Sequence, residues 1–513
     1  MSPLAGWVVT IPSAAILRAH LSEGLPEAEG EPAVPLPRGG VELRLDLWEA
    51  PPSFEELRAL PLPVIVTWKA APGESGRERV EYLRTLLRGI GRQLWVDLDS
   101  EDAVALRELS LTAPRDGAVR VLLSRHLREP LPDISLVGIG RDLLRPGADA
   151  GKLVLADTEG AFLQAVRISE RLGREERPCT VFAAGGRGRL SRFAAVARPE
   201  GWAYAAAAVG PRVAAGQPTG ASIHRRHGGG LPRLGEAGAE RSVLHLVVGA
   251  EVTRSISPGY HNRGLQGEAR SGRWLDLSTG DPGALLADWP ATLPPIAGLA
   301  VTAPHKVWAR SIGLPGSPEE ELHPTWNTLR RDGKSWRGWN TDAPALAALL
   351  ARRGVPRGDG PVLLLGAGGT ARAFAPFLAG RGWEVQVLRR GSGPLPPDLQ
   401  GSGVEEVGAE AIPAAAVIVN TTGEGGLLPW PVERFEGRCA IELVYRSRAT
   451  EFLRLAASHG AALVPGVEFF AEQARRQARI LHGTEEAPEV ALARAEEALA
   501  EMERDEERET LDA

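Results

Sequence analysis

Of the 59 basic residues in this sequence only four are lysine: Lys69, Lys152, Lys306 and Lys334. Arginine stays protonated and spreads its charge over a planar fork, whereas an amine can lose its proton. In a chain that otherwise chooses arginine, a retained lysine is a candidate for attacking a carbonyl or shuttling a proton. Two of the four stand among other chemically able residues. Lys152 lies in GADAGKLVLAD, downstream of Glu42, Arg44 and Asp46 in VELRLD, Asp99 in VDLD and His126 in VLLSRH. Lys306 ends TAPHK and is followed by WNT, which carries Asn327, and by GWNTD, which carries Asp342.

A third pattern is a glycine-rich turn, Gly366, Ala367, Gly368, Gly369, Thr370 and Ala371, between the apolar run PVLLL and the helix-like ARAFAPFLAGRG. Glycines at such a turn let backbone amides and a helix N-terminus approach a pyrophosphate. The next strand-like run, EVQVL, ends in Arg389 and Arg390 instead of an acid. Two guanidinium groups there suit a ribose 2′-phosphate, so NADP(H) is the expected cofactor.

These residues need scaffolds. Residues 1–218 carry eight short apolar runs, WVVTIP, VELRLD, PVIVTW, QLWVDLD, VRVLLS, GKLVLAD, CTVFAAG and WAYAAAA, several separated by helix-like stretches. That alternation predicts buried parallel strands and helices, most economically an α/β fold of the eight-stranded (β/α)8 TIM type, with chemistry where strands end. Residues 219–241 are rich in Gly, Arg and Glu without periodicity and read as a linker. A second α/β unit begins near Ser242 and a third, Rossmann-like, near Pro361. Residues 485–513 are dominated by Glu, Arg and Ala and are expected to form an exposed helix fraying into a charged tail.

Composition narrows the function. A length of 513 residues calls for more than one domain. A net charge of -6 without a clustered basic stripe argues against a nucleic-acid binder. Cys179 and Cys439 fit neither a disulfide framework nor a zinc pattern. No run reaches the roughly 18 apolar residues of a membrane span, and the N-terminus has no secretory leader, so a soluble cytoplasmic protein is expected.

The segments SISP (Ser255 to Pro258), TAPHK, WNT, GWNTD and GVEFFAEQA, in this order around the glycine-rich turn, resemble the shikimate dehydrogenases from about Leu244 to Gly483. The resemblance implies a substrate-binding domain over 242–345, completed by a helix near 467–484, and an NADP-binding Rossmann-like domain over 346–466. It implies that Ser255 and Ser257 bind a substrate carboxylate, that Thr302, Asn327 and Gln473 hold ring hydroxyls, and that Tyr445 lines the pocket. Lys306 and Asp342 become the catalytic pair, with the amine moving the hydroxyl proton while hydride passes between cofactor and substrate. Ala300 and Arg254 depart from the residues usual in that family.

The barrel motifs, with RGRLSR (Arg187 to Arg192) and AAGQPT (Ala214 to Thr219), resemble type I 3-dehydroquinate dehydratases over about residues 6–219. The whole chain is then similar to fused bifunctional enzymes of the shikimate pathway, acting on 3-dehydroquinate and 3-dehydroshikimate. The resemblance implies that Lys152 forms a Schiff base with the ketone, that His126 moves the protons, and that Asp99 orients His126. Glu42, Arg44, Lys69, Arg192 and Gln217 become substrate-binding residues. Burial is expected to leave the Lys152 amine uncharged near neutral pH. Lys69, Asp99 and Val213 depart from the usual Arg, Glu and hydroxyl-bearing residue. Two alternatives stay open: a shikimate or quinate dehydrogenase with a degenerate barrel, and a non-catalytic metabolite sensor.

Overall fold

A computed structural model of the chain describes residues 6–17, 40–60, 63–69, 77–89, 94–102, 105–106, 119–207, 213–214, 216–220, 222–232, 242–265, 272–389, 394–400, 403–408, 411, 415–423, 439–445 and 449–510. The chain divides into two compact units, one of Met1–Ser242, Leu277–Pro295 and Asp505–Ala513, the other of Val243–Asp276 and Ile296–Arg504.

The first unit is built on eight strands: β1 (Gly6–Ile11), β2 (Val41–Arg44), β3 (Val64–Thr67), β4 (Leu94–Asp99), β5 (Val119–His126), β6 (Ala150–Leu155), β7 (Cys179–Ala183) and β8 (Trp202–Ala206). These are the eight apolar runs of the sequence. All pair in parallel, in the order β7-β6-β5-β4-β3-β2-β1-β8, giving a nearly closed TIM-type barrel. The Thr180 hydroxyl of β7 donates to the Trp202 carbonyl of β8 across the remaining seam. Helices Arg77–Gly89, Asp133–Leu143, Ala161–Leu172 and Arg189–Ala197 follow β3, β5, β6 and β7. Val9, Leu43, Val66, Val96, Val121, Leu123, Leu153 and Val181 belong to one continuous apolar cluster between strands and helices. Strand period two then turns the alternate side chains into the barrel.

The linker expectation needs correction at its start. Thr219 bridges in parallel to Ala206, and Ser222–Arg226 form one π-helical turn with Ser222, Ile223 and Arg226 buried. The His227 ring then packs 5.0 Å from that of Phe193. Apolar Ile223 and the His227 ring packed on Phe193 anchor a segment whose composition alone reads as irregular. Residues 233–241 lie outside the described residues.

The second unit carries two six-stranded sheets. The first comprises β9 (Val243–Gly249), β10 (Gly272–Ser278), β11 (Ile296–Val301), β12 (Leu314–Pro315), β13 (Thr328–Asp332) and β14 (Ser335–Trp339), in the order β10-β9-β11-β13-β14-β12, with β13 antiparallel to both neighbours. The second comprises β15 (Val362–Leu365), β16 (Val385–Leu388), β17 (Val404–Glu406), β18 (Val417–Asn420), β19 (Cys439–Glu442) and β20 (Ala462–Val464), in the order β17-β16-β15-β18-β19-β20. Every pairing in it is parallel. Strand order reverses between β15 and β18, the switch point where doubly wound sheets open a ligand crevice.

The C-terminal helix Pro488–Thr510 also departs from expectation. Ala491, Ala495, Ala498, Leu499 and Met502 are buried against Ile256, Tyr260, Val467, Phe470 and Ala474. Their spacing is one helical stripe. The charged residues that dominate the composition occupy the other faces, so a docked amphipathic helix reads in sequence as a solvated one. Among the described residues no helix is long and apolar enough to cross a membrane.

Candidate active sites

Strand parity selects the barrel site. Val41 and Leu43 of β2, Leu94, Val96 and Leu98 of β4, Val121 and Leu123 of β5, and Leu153 and Leu155 of β6 join the outer apolar layer. Glu42 and Arg44, Asp97 and Asp99, His126, and Lys152 are therefore on the inner face. A one-residue slip in any of these strands would empty the site.

Lys152 is 3% exposed. Its Nζ forms an ion pair with Asp97 Oδ2, lies 3.9 Å from Glu42 Oε1, and sits 4.7 Å from the centre of the Tyr204 ring. Glu42 is fixed by two hydroxyl donors, Thr10 at 2.9 Å and Thr67 at 2.8 Å. Burial disfavours the ammonium, but the charges of Asp97 and Glu42 outweigh it and raise Lys152 above the ordinary lysine range. The expectation of an uncharged amine is thereby corrected: a carboxylate in direct contact stabilises the charge more than burial penalises it.

The other predicted barrel residues sit as follows. His126 is the last residue of β5 and is exposed. The surrounding protein, and then the positive charges of Lys152, Lys69, Arg44 and Arg192, hold its imidazole well below the usual histidine range. Lys69, just beyond β3, is lowered by burial and by the like charges of Lys152 and Arg44. Arg44 makes a forked pair with Asp46 at 2.9 and 2.7 Å. Arg192 is buried with its guanidinium 4.6 Å from the centre of the Phe182 ring, and burial brings its pKa down to about 10, so it stays charged. Gln217 reaches in to donate to Thr10 Oγ1 at 2.9 Å.

Asp99 does not take its expected place. Its Oδ1 accepts the Glu101 backbone N–H at 3.0 Å, and no hydrogen bond joins it to His126 among the described residues. The sequence reading missed Asp97, two residues earlier on the same face, and with it Thr10, Thr67 and Tyr204. The alternation of VDLD was the available signal, since it brings both aspartates to the interior. Asp97 Oδ1, Gln217 Oε1 and Arg192 Nε are buried without a partner among the described residues. Two acceptors and a donor left open on buried residues of the barrel unit suit a small polar ligand.

In the second unit Lys306 opens the helix Lys306–Ser311 and Asp342 opens the helix Asp342–Arg352. Lys306 Nζ donates to Asp342 Oδ2 at 2.7 Å and to Thr370 Oγ1 at 3.2 Å, so the predicted pair touches the glycine-rich turn. Asn327 Nδ2 donates to Asp342 Oδ1 at 2.8 Å and to Thr341 Oγ1 at 2.9 Å. The Thr341 hydroxyl donates to Gln473 Oε1 at 3.3 Å. Lys306, Asp342, Asn327 and Gln473 thus form one network, with Thr341 as a link that the sequence reading quoted within GWNTD without a role.

Ser255 Oγ accepts the Ser257 N–H at 3.3 Å at the start of the helix Ser257–Gly264. Thr302 is fixed by its backbone, donating to Val248 O at 2.9 Å and accepting from His305 N–H at 2.9 Å. Tyr445 packs on Phe470 with ring centres 5.5 Å apart. Lys334, the fourth lysine, is exposed between β13 and β14.

The dinucleotide turn fits its expected ligand. Gly366 has φ of +104°, which side chains rarely adopt, and a Cβ built on Gly368 or Gly369 would meet nothing within 4 Å. Open space thus faces the first amides of the helix Gly369–Ala379, as a pyrophosphate cradle requires. Arg389 is held by Glu406 at 2.7 Å, and Arg390 lies outside the described residues.

The chain is similar to known proteins in both of its halves. The family model of type I 3-dehydroquinase matches residues 39–226. The shikimate dehydrogenase (NADP(+)) of Anaeromyxobacter dehalogenans is 36% identical over 275 residues, covering 50% of this chain and 97% of that protein. The shikimate biosynthesis protein AroDE of Chlamydia pneumoniae is 25% identical over 450 residues, covering 85% of this chain and 88% of that protein. A solved structure of shikimate 5-dehydrogenase from Thermus thermophilus, in complex with NADP(H) and shikimate, is 30% identical, covers 50% of this chain and 100% of that one, and has a TM-score of 0.45. The chain is an enzyme of two catalytic folds, a lyase barrel and a nucleotide-dependent oxidoreductase. It belongs to the shikimate dehydrogenase family, with a type I 3-dehydroquinase domain ahead of the dehydrogenase.

Proposed function

We propose that the chain catalyses two consecutive reactions of the shikimate pathway: dehydration of 3-dehydroquinate to 3-dehydroshikimate in the barrel, and NADPH-dependent reduction of 3-dehydroshikimate to shikimate in the second unit. The observation that carries the reading is a lysine–aspartate pair in each fold, Lys152–Asp97 and Lys306–Asp342, each set among polar side chains. Neither the degenerate barrel nor the sensor has an observation in its favour.

In the barrel, the Lys152 ammonium passes a proton to Asp97 and the freed amine attacks the C3 carbonyl carbon, losing water to give an imine. Once protonated, the imine nitrogen draws electrons as neutral His126 removes the C2 proton. The C1 hydroxyl then leaves as water with the proton returned by His126, and hydrolysis of the imine releases product. Glu42 steadies the charge beside Lys152, and Arg192 and Lys69 supply cations for the substrate carboxylate. Gln217 Oε1 and Asp97 Oδ1 are open to substrate hydroxyls.

In the dehydrogenase, bound NADPH supplies the hydride that reduces the ketone carbon. Lys306 donates a proton to the ketone oxygen as it becomes a hydroxyl, while Asp342, held by Asn327, keeps the ammonium aimed. Ser255 and Ser257 bind the carboxylate, and Thr302, Asn327 and Gln473 bind hydroxyls. Arg389 and Arg390 would hold the 2′-phosphate of the cofactor. Steady-state assay of both reactions on the purified chain tests the proposal. Absence of either turnover, with the folds intact, would reject the corresponding half.

A further inference from the structure

Glu442 is the last residue of β19 and wholly buried, yet nothing in either reaction uses it. Its carboxylate has four donors. Oε1 accepts the backbone N–H of Leu443 at 2.8 Å and of Val444 at 3.0 Å. Oε2 accepts Asn420 Nδ2–H at 3.1 Å and the Thr450 hydroxyl at 2.9 Å. Burial raises the carboxyl above the ordinary glutamate range, and these four bonds oppose that rise.

The partners lie along the carboxyl edge of the second sheet. Asn420 ends β18 beside the switch point, and its Oδ1 accepts both the N–H of Thr422 at 3.2 Å and its hydroxyl at 2.7 Å. Between them, Thr421 donates through its hydroxyl to Leu365 O at 2.7 Å, one residue before the glycine-rich turn. On the other side, Leu443 and Val444 lead directly to Tyr445. A Cβ at Gly466 would lie 2.3 Å from Val444 O, so that loop is also held tightly against the start of the helix Gly466–His482.

We propose that Glu442 is a positioning residue for the dinucleotide crevice. It joins the β18 loop at the switch point to the β19 loop carrying Tyr445, so that both walls keep one geometry. The physical reason is complementarity. A carboxylate only accepts, and each of the four groups facing Glu442 donates. Asn420 cannot turn its amide round without losing Thr422.

This inference rests on the NADP-dependent reading, and the test separates the two. Glu442→Gln places an amide NH2 against that of Asn420, donor against donor. Asn420→Asp places a second carboxylate against Glu442. Asn420→Asp combined with Glu442→Gln restores one acceptor and one donor with the polarity exchanged. In the full-length chain, each single substitution is expected to raise the NADPH dissociation constant about 10-fold, as loss of a buried charged hydrogen bond does. Dehydratase turnover should not change, and the double variant should return to within about threefold of wild type. NADPH fluorescence titration, with KM and kcat for both reactions and thermal unfolding, reads this out. Wild-type NADPH affinity in both single variants, or a double variant no better than the worse single, overturns the role of Glu442. A single variant that unfolds while the double folds and binds supports it. Wild-type protein that does not bind NADPH sinks the cofactor reading itself.

Discussion

Replacing Lys152 with methionine tests the barrel most directly, because the two side chains have similar length and only one carries an amine. Without a nucleophile, dehydration should fall by on the order of 10^4-fold or more. The structure also sets a stability cost. At 3.9 Å from Glu42 and an effective dielectric of about 20, that one attraction amounts to about 4 kcal/mol, and the Asp97 contact is closer. The expected destabilisation is about 3–5 kcal/mol, the usual cost of breaking a buried pair. Adding Asp97→Asn should recover much of that stability and none of the turnover. Ultraviolet absorbance of the conjugated enone product follows the reaction, and urea unfolding follows the fold. Dehydration within tenfold of wild type, or a borohydride-trapped adduct on any residue other than Lys152, would refute the reasoning.

Lys306→Met should lower the reduction about 10^2- to 10^4-fold while leaving dehydration intact, since it removes the proton donor of one site only; joint loss of both activities would contradict independent sites. Glu320 is buried, accepts the Asn340 N–H at 2.7 Å, and is pushed up to about 7 by burial and by the neighbouring charge of Glu319, against the pull of that bond. The folded state then holds this proton more tightly than the unfolded chain, so its contribution is present below pH ~4.5 and is lost as pH rises through about 7. Glu320→Gln should flatten that decline in urea midpoints between pH 5 and 8, and an unchanged slope would exclude Glu320 as its source. His245, lowered to about 3 by burial and His482, and His261, held well below the usual histidine range chiefly by burial and His482, stack on Trp274 at 5.1 and 4.0 Å. Both must be neutral in the fold, so their contribution is present above pH ~6.5 and lost on acidification below it. His261→Phe should make the acid loss of stability less steep, measured by thermal unfolding from pH 7 to 4.

The sequence was most legible where chemistry depends on residue type and spacing. The scarcity of lysine picked out Lys152 and Lys306, and the glycine-rich turn stood where a strand meets a helix. Eight apolar runs marked eight strands, because a strand buried on both faces has little choice of side chain. Reading failed where a residue's role is set by a partner distant in the chain. Asp97 and Asp99 have the same type, strand and parity, and only closure of the barrel brings one of them against Lys152, 55 residues away. The charge of that lysine likewise depends on a neighbour that β4 supplies and β6 cannot. The C-terminal helix was misread because its composition is charged, while its alanine stripe gains meaning only against Ile256, Tyr260 and Phe470. Residue identity and local periodicity thus determined which groups were able to react and on which elements they lie. Tertiary structure decided which of them meet, and electrostatic interaction at those meetings falls off so steeply with distance that it set their protonation.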